Sequence, residues 1–402
     1  MRTEITYGLE RLEIEAPADT LVAAHRQPVA AALTDPAAAV AAALETPVGF
    51  PALRRALTPE DHVAVVVDEQ VPQLSRLLPP ILEHLTRAEV RPEAVTLLCP
   101  ASSAQTWVDE LPDAFEEVRV EVHDPSDRKR LAYLATTKQG RRVYLNRTVV
   151  DAEQVVVLTR RGYDPLLGYA GAEGALYPAL GDEAALRESW GRLSLEVPGA
   201  DPWPLRQEAA EIAWLLGVPF FVQVIEGAGT DVAHVLGGPV ESSAEGERLL
   251  NARWRVEVDE PVDTVVVSVG GDATRHSFAD LAQTLACAAR VVKRGGRIVL
   301  LSGGTPALGA TAELFRQTEE PEKALGLLDR DRPADGVAGF LWASAAQQAK
   351  IYLLSGLPQD TAEELFAVPL DHAGQVQRLL REGSWLFLAD AHKTLAVLRQ
   401  PA

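Results

Sequence analysis

The chain has 402 residues, of which 47% are apolar and 24% charged, and its 38 basic against 57 acidic side chains leave a formal net charge of −19. That length exceeds one small core and calls for about two domains. The acidic balance repels polyphosphate and so excludes nucleic acid and anionic membrane as partners. No uncharged apolar run approaches the roughly 18 residues of a membrane span, and the first residues lack the apolar core of a secretory signal, so the expected compartment is cytoplasmic. Two cysteines exclude a disulfide framework or a Cys-rich metal site, and the eight histidines form no HxH or HExxH pair.

Residues 1–8 alternate like a first strand and 11–15 continue extended. Asp35-Pro36 then opens an Ala-rich helix to about 44, with Asp as N-cap and Pro in the first turn. A buried strand over 61–68 ending in Asp68, a helix over 80–87 and a strand over 95–99 make a βαβ alternation, which implies a parallel sheet with ligand-facing loops after Asp68 and Cys99. Further strands are expected at 118–123, 142–145 and 154–159. After the last comes the glycine-rich segment 162–178, with Gly162, Gly168, Gly171 and Gly174, and then Asp182 as N-cap of a helix over 183–190.

A helix over 206–216, a strand over 219–225 and a helix over 239–254 follow. The charged, Pro261-containing stretch 255–262 is the expected boundary between domains at 1–260 and 261–402. The second domain is read as a strand at 264–268, a Gly270-Gly271-Asp272 loop, a helix over 277–293, a turn at Gly295-Gly296 and a strand at 297–302. Helices at 310–317, 336–354, 361–366 and 373–382 come next, then one or two strands within 385–398. The fold class is therefore α/β, two domains each with a mostly parallel sheet flanked by helices.

An ordered set of segments resembles the nickel-pincer lactate racemase family. It comprises Pro47-Val48-Gly49-Phe50-Pro51, the run 131–140 with Val143-Tyr144-Leu145-Asn146-Arg147, Gly168-Tyr169-Ala170-Gly171, Gly238-Pro239-Val240-Glu241 and Ser268-Val269-Gly270-Gly271-Asp272. The resemblance implies a ligand cleft between the two domains, 2-hydroxy acids as substrates and an isomerase activity. It also implies a nickel-pincer nucleotide carried on a lysine of the glycine loop, a histidine ligand to the metal and two proton-exchanging histidines.

At the matching positions this chain differs. The tether position is Gly174, and no lysine occurs between Lys138 and Lys293. Histidine is absent from 124 to 233, so Asp164 stands in the loop histidine's place and the ligand region near Trp190 offers none. The loop after Cys99 reads Pro100-Ala101-Ser102-Ser103-Ala104-Gln105, without the other histidine, and the arginine implied before Pro72 is Val71. Trp342 keeps the pattern, while the polar and basic places after it hold Ala343, Ser344 and Gln347.

Two readings stay open: a racemase or epimerase of non-canonical chemistry or lost activity, and a non-catalytic binding or regulatory protein for a small carboxylate or nucleotide that retains the cleft. Covalent cofactor is expected in neither. A third, a nucleotide-dependent transferase built on 264–302, has only its glycine loops behind it. Asp164 is the candidate acid/base, against a plain Asp-Pro turn. Asp68, Arg160, Arg161, Tyr169 and Glu173 are candidate ligand contacts, the arginines as anion binders. Gly168, Gly171, Gly174, Gly270 and Gly271 are candidate cofactor contacts through close backbone approach, and no metal ligand is assigned.

Overall fold

The computed structural model describes residues 2–15, 20–25, 31–101, 103, 105–199 and 201–399. The chain forms two compact units, one from 30–227 with 231–250 and the other from 1–29, 228–230 and 251–402.

The first of these holds a six-stranded sheet in the order Val232–Gly238, Phe220–Glu226, Gln154–Arg160, Val63–Val67, Val95–Cys99, Arg119–Val122. All neighbours are parallel except the first pair. Val63–Val67 is Val-Ala-Val-Val-Val and buried throughout, as a central parallel strand covered on both faces must be. The period of two sends Val63, Val65 and Val67 into one apolar cluster with Val40, Leu44, Ile81 and Leu85, and Ala64 and Val66 into another with Leu205, Ala209 and Ile212. Helices Pro36–Glu45 and Pro79–Arg87 therefore cover one face and Pro204–Leu215 the other. Asp35 caps the first of these, its carboxylate accepting from the Ala38 N–H at 3.1 Å.

The strand expected at 142–145 forms, and two other segments of this unit depart from expectation. Arg142–Asn146 pairs antiparallel with Leu131–Thr136 in a separate hairpin turning at Gly140, whose φ is +81°, and stays out of the parallel sheet. Val232–Gly238, which no sequence signal marked, closes the sheet edge antiparallel to Phe220–Glu226, because a short connection permits only that direction. The helix expected at 239–254 begins at Ser243, after a single 3-10 turn over Val240–Ser242.

The other unit carries a five-stranded, all-parallel sheet: Ala367–Pro369, Lys350–Leu354, Val292–Leu301, Val262–Ser268, Trp385–Leu388. Gly295-Gly296 lies inside Val292–Leu301 as a bulge where a turn was expected: the partner of Val262 is Val292, but that of Thr264 is already Arg297. The helix starting at Gly336 ends at Gln348, not 354, because Lys-Ile-Tyr-Leu-Leu is a β-branched and aromatic run that takes the next strand position. Helix Pro321–Asp331 has no counterpart among the expected elements, and the expected helix over 373–382 shrinks to Ala373–Gln375 and Val376–Leu379. Strands Arg2–Tyr7 and Glu10–Glu15 pair around Gly8, and Arg255–Val258 pairs parallel with Leu395–Leu398. The expected division at 260/261 thus differs from the observed grouping, which starts at Asn251 and takes in the first residues of the chain. Hydrogen bonding between distant segments decides that grouping, and composition carries no trace of it.

Candidate functional site

In the six-stranded unit the carboxyl ends of the parallel strands carry the loops that a ligand would meet. Asp68 sits one residue past Val63–Val67. Its Oδ2 accepts from the Arg160 N–H at 3.2 Å and its Oδ1 from the Gln70 N–H at 2.9 Å, so the carboxylate joins two strand-end loops. The neighbouring Glu69 does the same for a third loop: its Oε1 accepts from Ser103 Oγ, the Gln105 N–H and Trp107 Nε1 at 2.5, 2.9 and 2.6 Å. Sequence reasoning missed Glu69; an acidic pair directly after a buried strand was the available signal. Ser102 and Ala104 of that third loop lie outside the described residues.

After strand Gln154–Arg160 the chain makes a small hairpin, Gly162–Asp164 against Gly168–Ala170, then a 3-10 turn over Ala172–Ala175. Asp164 closes the hairpin: its Oδ1 accepts from the Leu166 and Leu167 N–H groups at 2.7 and 2.8 Å. This is the geometry of an Asx turn. Gly168 has φ +78°, and a Cβ there would meet Pro198 at 3.2 Å and Trp203 at 3.5 Å, so the missing side chain lets that segment pack onto the loop. Tyr163 and Tyr169 face each other across the hairpin with ring centroids 5.8 Å apart.

Burial raises the Asp164 pKa, with the two loop N–H bonds opposing it. A raised folded pKa means that the protonated carboxyl favours the fold. That contribution is complete below the unfolded value of about 4 and is lost as pH climbs through the folded one. Asp164→Asn keeps an Oδ1 that accepts both bonds and cannot ionise. Its stability relative to the parent is therefore expected to rise with pH, while Asp164→Ala, which strands two N–H groups, stays about 1–3 kcal/mol below Asp164→Asn at every pH. Urea denaturation of the three proteins between pH 5 and 9 checks both; a constant Asn-to-Asp difference would exclude the raised carboxyl pKa.

Beneath the hairpin lies a cluster of charges. The Arg161 side chain is fully buried, and its Nη2 donates to Glu247 Oε1 at 3.2 Å. Arg206 pairs with the same Glu247 oxygen and stacks over the Tyr169 ring, 5.2 Å from its centroid. Glu173, also buried, adds an attractive charge to both arginines. Burial pulls both guanidinium pKa values down, and the carboxylate field opposes that. Arg161 Nε and Nη1 have no hydrogen-bond partner among the described residues, nor does the buried Gln223 Oε1. Arg160, one residue earlier, points elsewhere and lies 3.6 Å from Glu226. Of the expected ligand contacts the structure thus gathers Arg161, Tyr169 and Glu173, adds Arg206 and Glu247, and leaves Asp68, Arg160 and Asp164 to tie loops. Arg206 and Glu247 lie on charged helix faces, with nothing in the sequence to bring them to Arg161.

Gly270 and Gly271 belong to the other unit. The first residue after them, Asp272, caps the 3-10 turn Ala273–Arg275, and the long helix starts only at Phe278. Its first amides are occupied by the Ser277–Asp280 capping box. The glycine pair therefore does not open onto a helix N-terminus, the arrangement that cradles a phosphate. Its smallness has a packing use: a Cβ on Gly270 would stand 2.5 Å from Asp390 Oδ1.

The resemblance asks for an amine at position 174, and the structure has none there. A Cβ on Gly174 would stand 2.6 Å from Leu167 Cδ1, so Leu167, packed in the apolar cluster below, would have to turn its side-chain end aside to admit one. Asp164, in the place of a proton-exchanging imidazole, spends its Oδ1 on its own turn. Among the described residues no group of three or more His, Cys, Asp or Glu side chains converges as a metal site, and no helix is long and apolar enough to cross a membrane. The residues do not fit a covalently held nickel-pincer nucleotide.

Comparison with known proteins places this geometry. Residues 7–198 match the lactate racemase N-terminal domain family. The chain is 19% identical to the lactate racemase of Thermoanaerobacterium thermosaccharolyticum over 404 aligned positions, covering 94% of this chain and 93% of that protein. Its fold superposes on the lactate racemase apoprotein from the same organism with a TM-score of 0.80 at 16% identity, over all of both chains. A Thermotoga maritima protein of known crystal structure follows with a TM-score of 0.61 and 12% identity, over 84% of this chain and 93% of that one. The chain is thus similar to the lactate racemases, with the N-terminal domain of that family matched by residues 7–198 and the fold shared along the whole length.

Proposed function

We propose that this chain keeps the lactate racemase fold as a binding protein for small hydroxy acids or kindred carboxylates, without a covalently anchored nickel-pincer nucleotide and without the racemisation that such a cofactor performs. One observation carries the reading: Gly174 stands where the tether is implied, with Leu167 against it and no lysine anywhere from 139 to 292. Without an amine there is no nucleophile to bond the cofactor, and with no histidine from 124 to 233 the loop itself carries no imidazole to exchange a proton near neutral pH. The substrate class comes from the similar proteins, which are lactate racemases.

A non-canonical isomerase is the second reading, and the raised pKa of Asp164 favours it, since a carboxyl shifted toward neutrality is what acid/base catalysis uses. The two loop N–H groups on its Oδ1 weigh against it. The test is direct. Purified after co-expression with a cofactor-synthesising system, the chain is expected to show its unmodified sequence mass and a nickel-to-protein ratio far below one. A ratio near one, or added mass of a nucleotide, would overturn the reading. Turnover of any 2-hydroxy acid that vanishes in Asp164→Asn would establish the second.

A further inference from the structure

A cavity of about 480 Å³ opens within the six-stranded unit beside the central hairpin, on the side of helix Pro204–Leu215. Tyr169, Trp203, Arg206, Ala210, Ser243 and Glu247 are among its lining residues. Its volume falls within the range of small-ligand sites, and its walls are mostly apolar with a few converging polar groups, the usual make-up of such sites.

The polar groups are short of acceptors. Arg206 lines the cavity, and the single carboxylate oxygen it pairs with, Glu247 Oε1, is also the partner of Arg161. Ser243 is 4% exposed, lines the same cavity, and its Oγ has no hydrogen-bond partner among the described residues. Arg161, which does not line the cavity but shares Glu247 Oε1 with Arg206, leaves Nε and Nη1 without partners among the described residues and so keeps a claim on that oxygen. Buried donors without acceptors are costly, so a ligand that brings acceptors is favoured over one that brings donors. Two carboxylates also face the cavity. Glu247 is neutralised by both arginines, and Asp201 is exposed at the rim, where water and salt screen it.

From these observations we infer that the cavity binds a carboxylic acid with a ring-sized apolar tail. The carboxylate takes hydrogen bonds from Arg206 and Ser243, and the tail lies between Trp203, Tyr169 and Ala210. The inference rests on the small-carboxylate reading above and gives it a place and a tail preference. Gly168 serves the same end, since its missing Cβ is what lets Trp203 stand over the hairpin as one wall.

Calorimetric titration of the full chain with 3-phenyllactate, lactate and 2-phenylethanol tests this. 3-Phenyllactate is expected to bind at least tenfold tighter than lactate, because its ring adds buried apolar area, and tighter than the neutral alcohol, which lacks the carboxylate. Ser243→Ala is expected to weaken 3-phenyllactate about fivefold, the size of one hydrogen bond. Ala210→Phe, which fills the cavity without touching a charge, is expected to abolish binding. Undiminished binding in a folded Ala210→Phe variant would overturn the site and leave the carboxylate reading standing. Binding of neither acid would overturn both. Should Ala210→Phe fail to fold, unchanged affinity in Ser243→Ala, or alcohol binding as tight as the acid, overturns the site by itself.

Discussion

Gly171→Ala is expected to cost about 3 kcal/mol or more and to dismantle the central loop. Gly171 has φ +81° and ψ −171°, a region reserved almost wholly for glycine, where a side chain costs about 1–3 kcal/mol. The greater obstacle is steric: its Cβ would stand 2.2 Å from the Arg160 carbonyl oxygen and 3.0 Å from Thr159 Oγ1. The first neighbour is backbone in the central strand Gln154–Arg160, parallel-paired on both sides, so it cannot retreat without breaking sheet hydrogen bonds. Urea denaturation followed by tryptophan fluorescence measures the loss, and near-ultraviolet circular dichroism of Tyr163 and Tyr169 reports the loop. A loss under about 1 kcal/mol would mean that the loop swings away from the strand with little resistance, and the close approach would then be no constraint on this position.

Glu247→Gln is expected to be the next most damaging change, at about 3 kcal/mol. The substitution keeps shape and an acceptor and removes only the charge that Arg161 and Arg206 share. Arg161 has no exposed side-chain surface and Arg206 little, so two cations would be left in a weakly polarisable interior with Glu173 alone to balance them. Breaking a buried ion pair from one side costs about 3–5 kcal/mol, whereas replacing the whole set by apolar groups is often neutral. Arg161→Met in the Glu247→Gln background should therefore restore at least half of the loss, and a double-mutant cycle reads the coupling. No coupling would show that Arg161 is neutralised by Glu173 instead.

The parts legible in the sequence were those governed by neighbours along the chain. The continuous apolar runs at 63–67, 95–99 and 154–160 are parallel strands within a residue or two of where their pattern put them. Asp35-Pro36 and Asp182 do start helices, because a cap is a contact over two or three residues. Where expectation and structure part, a distant partner decides. Gly295-Gly296 reads as a turn by composition, yet Val262–Ser268 draws it into a long strand as a bulge. Lys350–Leu354 continues a helical pattern on paper and is a strand because Val292–Leu301 offers a free edge.

The site divides along the same line. The amino-acid sequence by itself determined which side chains the central loop lacks: residues 139–233 hold neither lysine nor histidine, and no folding of that segment can supply one. It also determined the α/β class, since apolar periodicity is local. Only the tertiary structure decided which charges meet. Arg161, Glu173, Arg206 and Glu247 span nearly ninety positions of chain, and nothing in their spacing joins them. Ion pairs and cavities are made by side chains that converge from separate elements, and that convergence is set by how the helices pack on the sheet.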